Sequence, residues 1–260
     1  MDTTNTNWQA RLRANIAQVR QDIAAACERV GRAPASVRLV AVTKYVSPQV
    51  LREVVASGIA DLGESRAQQL ATRARDYGPS QLDWPGEHDA QAAPALPRWH
   101  MIGHVQRNKV KMLLTHTRII HSLDSPRLAA ELSKEAEALA APVDVLIEVN
   151  VAGEASKSGL PPEAVAPLLA VCAPLSAVRV RGLMTMAPYD PDPEAARPHF
   201  ARLRELLEHL RTTAGADLLG PHLSMGMSQD YTVAIEEGAT FVRVGSALFT
   251  GLPSPRAPTA

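Results

Sequence analysis

The 260-residue chain has only two cysteines. Cys27 and Cys172 are far apart, both sit in helix-like apolar patterns, and nothing resembles CxxC. A disulfide scaffold and a dithiol redox pair are therefore excluded, leaving two buried free thiols. Charge of one sign is missing too. The formal net charge is +0, so no global basic excess exists to hold nucleic acid or an anionic membrane surface. No apolar run approaches the ~18 residues of a membrane span. Met1 to Asn7 is polar and has no apolar core of a secretory signal. The expectation is a cytoplasmic protein in a reducing setting, with neither nucleic acid nor membrane among its partners.

Hydrophobic residues make up 46% and charged residues 21%, the balance of an ordinary folded protein rather than a disordered one. The length suits one large barrel or sandwich, or two small domains. Trp8, Leu12, Ile16, Val19, Ile23, Cys27 and Val30 recur at three- and four-residue spacing, which predicts an amphipathic helix ending near Gly31. Residues 37–43 form an apolar, β-branched run, read as a strand buried on both faces. Ser47-Pro48 then supplies a hydroxyl cap and a proline at the first helical position, and Gly58 stops that helix. A short strand near Ile59–Leu62 and a helix from about 65 to 75 follow.

Residues 78–97, rich in proline, glycine and alanine, break the rhythm and read as a peripheral loop insertion without a chemical role. Strands resume at Trp99–Ile102, Arg118–His121, Val143–Asn150, Val178–Leu183, His222–Met225 and Thr240–Val244. Helices lie between them: one starting at Ser125-Pro126, one near Pro161-Pro162, one over 194–212 and a short one over Gln229–Glu237. That is about eight strands alternating with helices, the order of a (β/α)8 TIM barrel with an extra N-terminal helix. A single domain over 1–260 is expected, with 252–260 a disordered tail. The alternative, a doubly wound open sheet, lacks a GxGxxG after its first strand.

In such a barrel the chemistry sits at the carboxyl ends of the strands. There Lys44 ends the first strand. An amine on a flexible stem, partly desolvated, becomes a carbonyl nucleophile. Taken alone, the segment favours the plainer reading, a solvated lysine closing a strand. Phosphate is often held between the loops after strands seven and eight. Here those loops carry Ser224-Met225-Gly226-Met227-Ser228 and Gly245-Ser246. Ser224, Gly245 and Ser246 read as phosphate ligands and Ser228 as a helix cap. Arg243 lies inside the eighth strand, where a buried guanidinium needs a partner. Glu64 or another barrel-top carboxylate could pair with it, or a cofactor could. Lysine, cradle and arginine together match pyridoxal 5′-phosphate: aldehyde on the lysine, phosphate in the cradle, ring nitrogen facing a charged residue.

Eight segments run in order over nearly the whole chain: LVAVTK (39–44), LGESRAQQ (62–69), WHMIGHVQRNKVK (99–111), HSLDS (121–125), VNVAGEASKSGL (149–160), RGLMTMAP (181–188), LSMGMSQD (223–230) and GATFVRVGSALFTG (238–251). In these the chain resembles the pyridoxal phosphate homeostasis proteins, relatives of the barrel domain of alanine racemase. The resemblance implies a fold-type III barrel that binds pyridoxal 5′-phosphate. Lys44 would form the Schiff base. Ser224, Gly245 and Ser246 would hold the phosphate, with Met225 lining the site, and Arg243 would face the ring nitrogen. An arginine there cannot accept the ring proton, so the ring stays a weak electron sink. The family usually has Asn where this chain has Ser65, which puts that cofactor contact in question. Ser246 keeps the hydroxyl of the usual Thr.

The resemblance points to a carrier contributing to vitamin B6 and amino-acid homeostasis, with no catalytic residue, acting as a monomer and supplying apo-enzymes. The alternative is an amino-acid racemase using Lys44 as one acid/base. That would need an opposing group, which alanine racemases take from a tyrosine of a second domain. Tyr45, which a continuing strand would turn away from Lys44, Tyr77, Tyr189 and Tyr231 offer no obvious equivalent. His100, His104 and His121 match no metal-ligand spacing and read as structural. Lys157 reads as a solvated loop lysine, with a transient cofactor handover as the second reading. Residues 106–111 read as a solvated basic helix start.

Overall fold

The computed structural model describes residues 3–78, 80–82, 84–85, 96–154 and 158–252. Eight strands pair in parallel, in chain order, into a closed barrel. They are β1 Arg38–Val42, β2 Asp61–Glu64, β3 Arg98–Met101, β4 Ile119–Leu123, β5 Val143–Glu148, β6 Val178–Met184, β7 His222–Ser224 and β8 Phe241–Val244. The barrel closes between β1 and β8, with Arg38 opposite Phe241 and Ala41 opposite Val244. The helices are α1 Thr3–Arg29, α2 Pro48–Ala56, α3 Ala67–Tyr77, α4 Val110–Leu114, α5 Pro126–Ala138, α6 Val165–Cys172, α7 Arg197–Thr213, α8 Tyr231–Glu236 and α9 Ser246–Phe249. Among the described residues no helix is long and apolar enough to cross a membrane.

Both Ser-Pro starts behave as expected. Ser47 accepts from the Val50 amide and Ser125 from the Leu128 amide, each at 3.3 Å. A cap of this kind contributes about 1 kcal/mol. Every residue of β4 and β5 is buried, because a parallel barrel strand faces side chains within and helices without.

Two expectations need correction. β2 runs from Asp61 to Glu64, two residues beyond the apolar stretch that suggested it. Its charged ends find partners on opposite faces of the strand: Asp61 meets Arg38 and Arg98 within the barrel, and Glu64 meets Thr43 and, from α3, Arg73. The 78–97 stretch is not wholly peripheral either. Gln81 bridges to Arg98, and the Trp84 ring lies 5.3 Å from Phe241 and 5.1 Å from His222 on the barrel floor. The rest of that stretch (79, 83, 86–95), Lys157 and the 253–260 tail lie outside the described residues.

The extra helix α1 lies across the seam. Tyr231 Oη donates to Asp22 at 2.7 Å, Arg29 meets Glu236 at 2.6 Å, and Asn15 Nδ2 donates to the Leu248 and Thr250 carbonyls at 3.0 Å.

Candidate functional site

Lys44 lies at the barrel mouth, two residues after β1 ends at Val42. Its turn is gripped from α3. The Lys44 carbonyl accepts from Gln69 Nε2 at 3.0 Å and Arg73 Nη2 at 3.4 Å, and Arg73 also donates to the Val46 carbonyl at 3.0 Å. Arg73 Nε lies 3.4 Å from Glu64 Oε1, which also accepts from Thr43 Oγ1 at 2.8 Å. Glu64 is fully buried, and its Oε2 has no hydrogen-bond partner among the described residues. Burial pushes its pKa up, countered by Arg73, the Thr43 hydroxyl and Lys44. The strand does not continue through Tyr45. The turn instead brings that ring within 5.1 Å of Lys44 Nζ.

Across the mouth, Gly226 adopts φ +90, and a Cβ there would lie 2.6 Å from Ala234 Cβ and 2.9 Å from Tyr231 Cα. Only glycine fits so tight a return into α8. The return places Ser228 against the β8–α9 turn. Its Oγ accepts from the Gly245 amide at 3.0 Å and the Ala247 amide at 3.3 Å. Ser228 thus caps α9 from across the loop, not its own helix α8. Two backbone N–H groups thus converge on one oxygen, a nest-like arrangement of donors. Ser246 is exposed beside it, and Ser65 is partly buried after β2.

Arg243 is 3% exposed in the barrel centre. It makes no ion pair with Glu64. Nη1 donates to Ser224 Oγ at 2.5 Å and Nη2 to the Thr185 carbonyl at 2.8 Å. Burial pulls its pKa down to about 10, and the charges of Asp230 and Glu148 oppose that, so it is a cation at neutral pH. Glu148, hidden to sequence reasoning inside the apolar β5 run, is pushed up to about 6, first by burial and then by Asp124, against Arg243 and His104.

Two expected ligands sit differently. Ser224 is fully buried, with its hydroxyl between Arg243 and His121 Nδ1, the latter at 2.9 Å. Met225 is fully buried in the apolar core. Neighbours in an extended chain point to opposite sides, Ser224 into the barrel beside Arg243 and Met225 into the surrounding apolar core; the Met225 amide donates to the Phe241 carbonyl at 3.1 Å. Below Ser224 the bonds continue. His121 Nε2 meets His100 Nδ1 at 3.0 Å, and His100 Nε2 meets Asp61 at 2.9 Å. His104 stands apart, on Asp124 at 3.0 Å.

The sequence matches the family described as alanine racemase, N-terminal domain, over residues 9–253. It is 42% identical to the pyridoxal phosphate homeostasis protein of Aquifex aeolicus over 90% of this chain and 95% of that one. It is 40% identical to the protein of that name from Pseudomonas aeruginosa, over 90% and 93%. Among solved structures, PipY of Synechococcus elongatus with pyridoxal phosphate bound aligns at a TM-score of 0.74 and 29% identity, covering 92% of this chain and 99% of that one. An alanine racemase of Clostridium difficile shares the fold, at 0.67 and 14% over 94% and 57%. The chain belongs to the pyridoxal phosphate homeostasis proteins, within the family of the alanine racemase N-terminal domain.

Proposed function

We propose that this protein binds pyridoxal 5′-phosphate as a reversible Schiff base on Lys44 and carries or buffers it, without catalysis of its own. The reading extends to a part in intracellular vitamin B6 and amino-acid homeostasis, with apo-enzymes as recipients. The observation that carries it is the meeting, at one barrel mouth, of the gripped Lys44 turn, the Gly245–Ala247 amide nest and the buried Arg243 cation.

The residues fit this cofactor. The nest offers N–H donors to a phosphate oxygen, and Ser246 adds a nearby hydroxyl. Arg243 has two of its five N–H donors committed to the protein, and it cannot take a proton from the ring nitrogen. Bound there, the cofactor would supply an aldehyde, and Lys44 would be the amine that holds it reversibly.

Catalysis is disfavoured because an opposing acid/base is hard to find. Tyr231 is tied to Asp22 on the outside of the barrel, Tyr45 lies beside Lys44 itself, and Tyr189 is 76% exposed. The test is reconstitution with the cofactor. Wild type gains visible absorbance that Lys44→Ala lacks; identical spectra would refute the assignment. Amino acids incubated with the loaded protein in deuterated water keep their Cα protons. Rapid exchange on any of them would favour the racemase reading.

A further inference from the structure

We infer that Asp61, on the barrel floor, acts through His100, His121 and Ser224 as a positioning residue for Arg243, and that their hydrogen bonds run in one direction only. The inference rests on the pyridoxal phosphate reading for its consequence, but its order follows from proton counting alone.

Four bonds in series join five side chains from five strands: Asp61 to His100 at 2.9 Å, His100 to His121 at 3.0 Å, His121 to Ser224 at 2.9 Å and Arg243 to Ser224 at 2.5 Å. All five are buried, at 4% exposure or less, so water cannot substitute for a missing partner. The two ends are fixed by chemistry. Arg243 can only donate. Asp61 can only accept, because it is ionised: Arg38 and Arg98 bond its two oxygens at 3.0 and 3.1 Å. Together with His100 they hold it well below the usual carboxylate range, against the cost of burial.

Between those ends stand three groups that can face either way. Each neutral imidazole brings one N–H and one bare nitrogen, and the serine brings one O–H. With the donor from Arg243 that makes four protons for four bonds. Turning any one group leaves one bond with two protons and another with none. The single arrangement left has His100 and His121 protonated at Nε2, and Ser224 donating to His121. Ser224 Oγ is thereby left as an acceptor facing Arg243. A further proton on either ring has no acceptor, and burial independently lowers both ring pKa values. The groups facing this pair are Asp61, Arg38, Arg98, Arg243 and His222.

The consequence reaches the mouth. Ser224 has no proton to offer a phosphate, so that task falls to the Gly245 and Ala247 amides. Its oxygen, together with the Thr185 carbonyl at 2.8 Å, sets the plane of the guanidinium and therefore the direction in which the free N–H groups of Arg243 point. A charge on one floor residue thus determines how the ring nitrogen of the cofactor is met.

Two measurements test this. Nitrogen-15 NMR of the imidazoles in the cofactor-free protein is expected to show Nε2–H tautomers at His100 and His121 throughout pH 5.5–8. An Nδ1–H tautomer or a charged ring at either position overturns the inference. The second compares binding of pyridoxal phosphate and its 1-deaza analogue, which lacks the ring nitrogen, by His100→Phe and Ser224→Ala. These cut the chain at different points, so either one suffices if the other does not fold. The preference of wild type for the pyridine ligand is expected to fall roughly tenfold, the worth of one well-placed hydrogen bond, while the 1-deaza ligand is little affected. Equal weakening of both ligands marks a merely structural role and overturns the positioning claim. If wild type binds neither ligand, the pyridoxal phosphate reading falls and takes this consequence with it, whatever the tautomers show.

Discussion

Replacing His222 by phenylalanine should make the protein more stable, and more so in acid. His222 begins β7 on the barrel floor, with its ring 5.1 Å from Trp84 and 5.6 Å from Phe241. Its Nδ1 is buried with no hydrogen-bond partner among the described residues. Burial, and then the charges of Arg181, Arg38 and Arg211, push its pKa down from 6.5 to about 4. The unfolded chain therefore takes up a proton here before the folded protein does. Stability is complete above the unfolded pKa, is lost as pH falls through 6.5, and stops falling below about 4. Between pH 7 and pH 5 the loss from this one ring is about 2 kcal/mol. Phenylalanine keeps the ring packing, removes the proton site, and removes a lone nitrogen whose burial costs about 1–3 kcal/mol. Urea unfolding at pH 7 and pH 5, followed by circular dichroism, measures the difference. His222→Phe should gain at pH 7, with the gain growing by about 2 kcal/mol at pH 5. His100 and His121 lose stability over the same range, and Glu148, with its pKa raised to about 6, gains some. All three are present in both proteins; His100 and Glu148 cancel, and His121 leaves a residual difference because a charged His222 also lowers its pKa. Equal pH slopes for wild type and variant would refute the reasoning.

Two further outcomes follow from the geometry. Gly182, in β6 beside a register shift, has φ +154, and a Cβ there would lie 1.9 Å from the His222 carbonyl oxygen. Gly182→Ala should cost about 3 kcal/mol or more and lower Tm by roughly 6–12 °C in a thermal melt; an unchanged Tm would show that the two strands can part freely. Ser228→Ala removes the oxygen shared by the Gly245 and Ala247 amides. Under the proposed function it should weaken pyridoxal phosphate binding about tenfold if the serine also donates to the phosphate. It should strengthen binding if the serine only competes for the nest, so unchanged affinity in an equilibrium titration would place the phosphate elsewhere.

The barrel was legible because its strands are buried on both faces. β4 and β5 are buried throughout, and Ser47-Pro48 and Ser125-Pro126 announced their helices by local chemistry. What could not be read was the polar lining. Nothing local shows what Asp61 and Glu64 pair with, until strand pairing brings Arg38 and Arg98 to Asp61 and α3 brings Arg73 to Glu64. His121 and Ser224 are 103 positions apart, and no local pattern joins them. Lys44, Gly245 and Arg243 could be placed from strand order, because position on a strand fixes height in the barrel. The hydroxyl direction of Ser224 could not, because it depends on which neighbour offers a proton and which accepts one. Trp84 was missed for a related reason. Its neighbours look like a linker, while its packing partners, His222 and Phe241, begin the last two strands.

The fastening of α1 across the β1–β8 seam has a kinetic meaning. Asn15 bonds the Leu248 and Thr250 carbonyls, residues 233 and 235 positions away. Loops that long close late, since their entropy must be met before any contact rewards it. The amide nest hangs from this same stretch, so its shape depends on these same long-range contacts. Under the proposed function, a ligand seated there would act as a latch on the seam. At a hundred times its Kd it adds about 2.7 kcal/mol against reopening, so loss of the cofactor and loosening of the barrel become two views of one event.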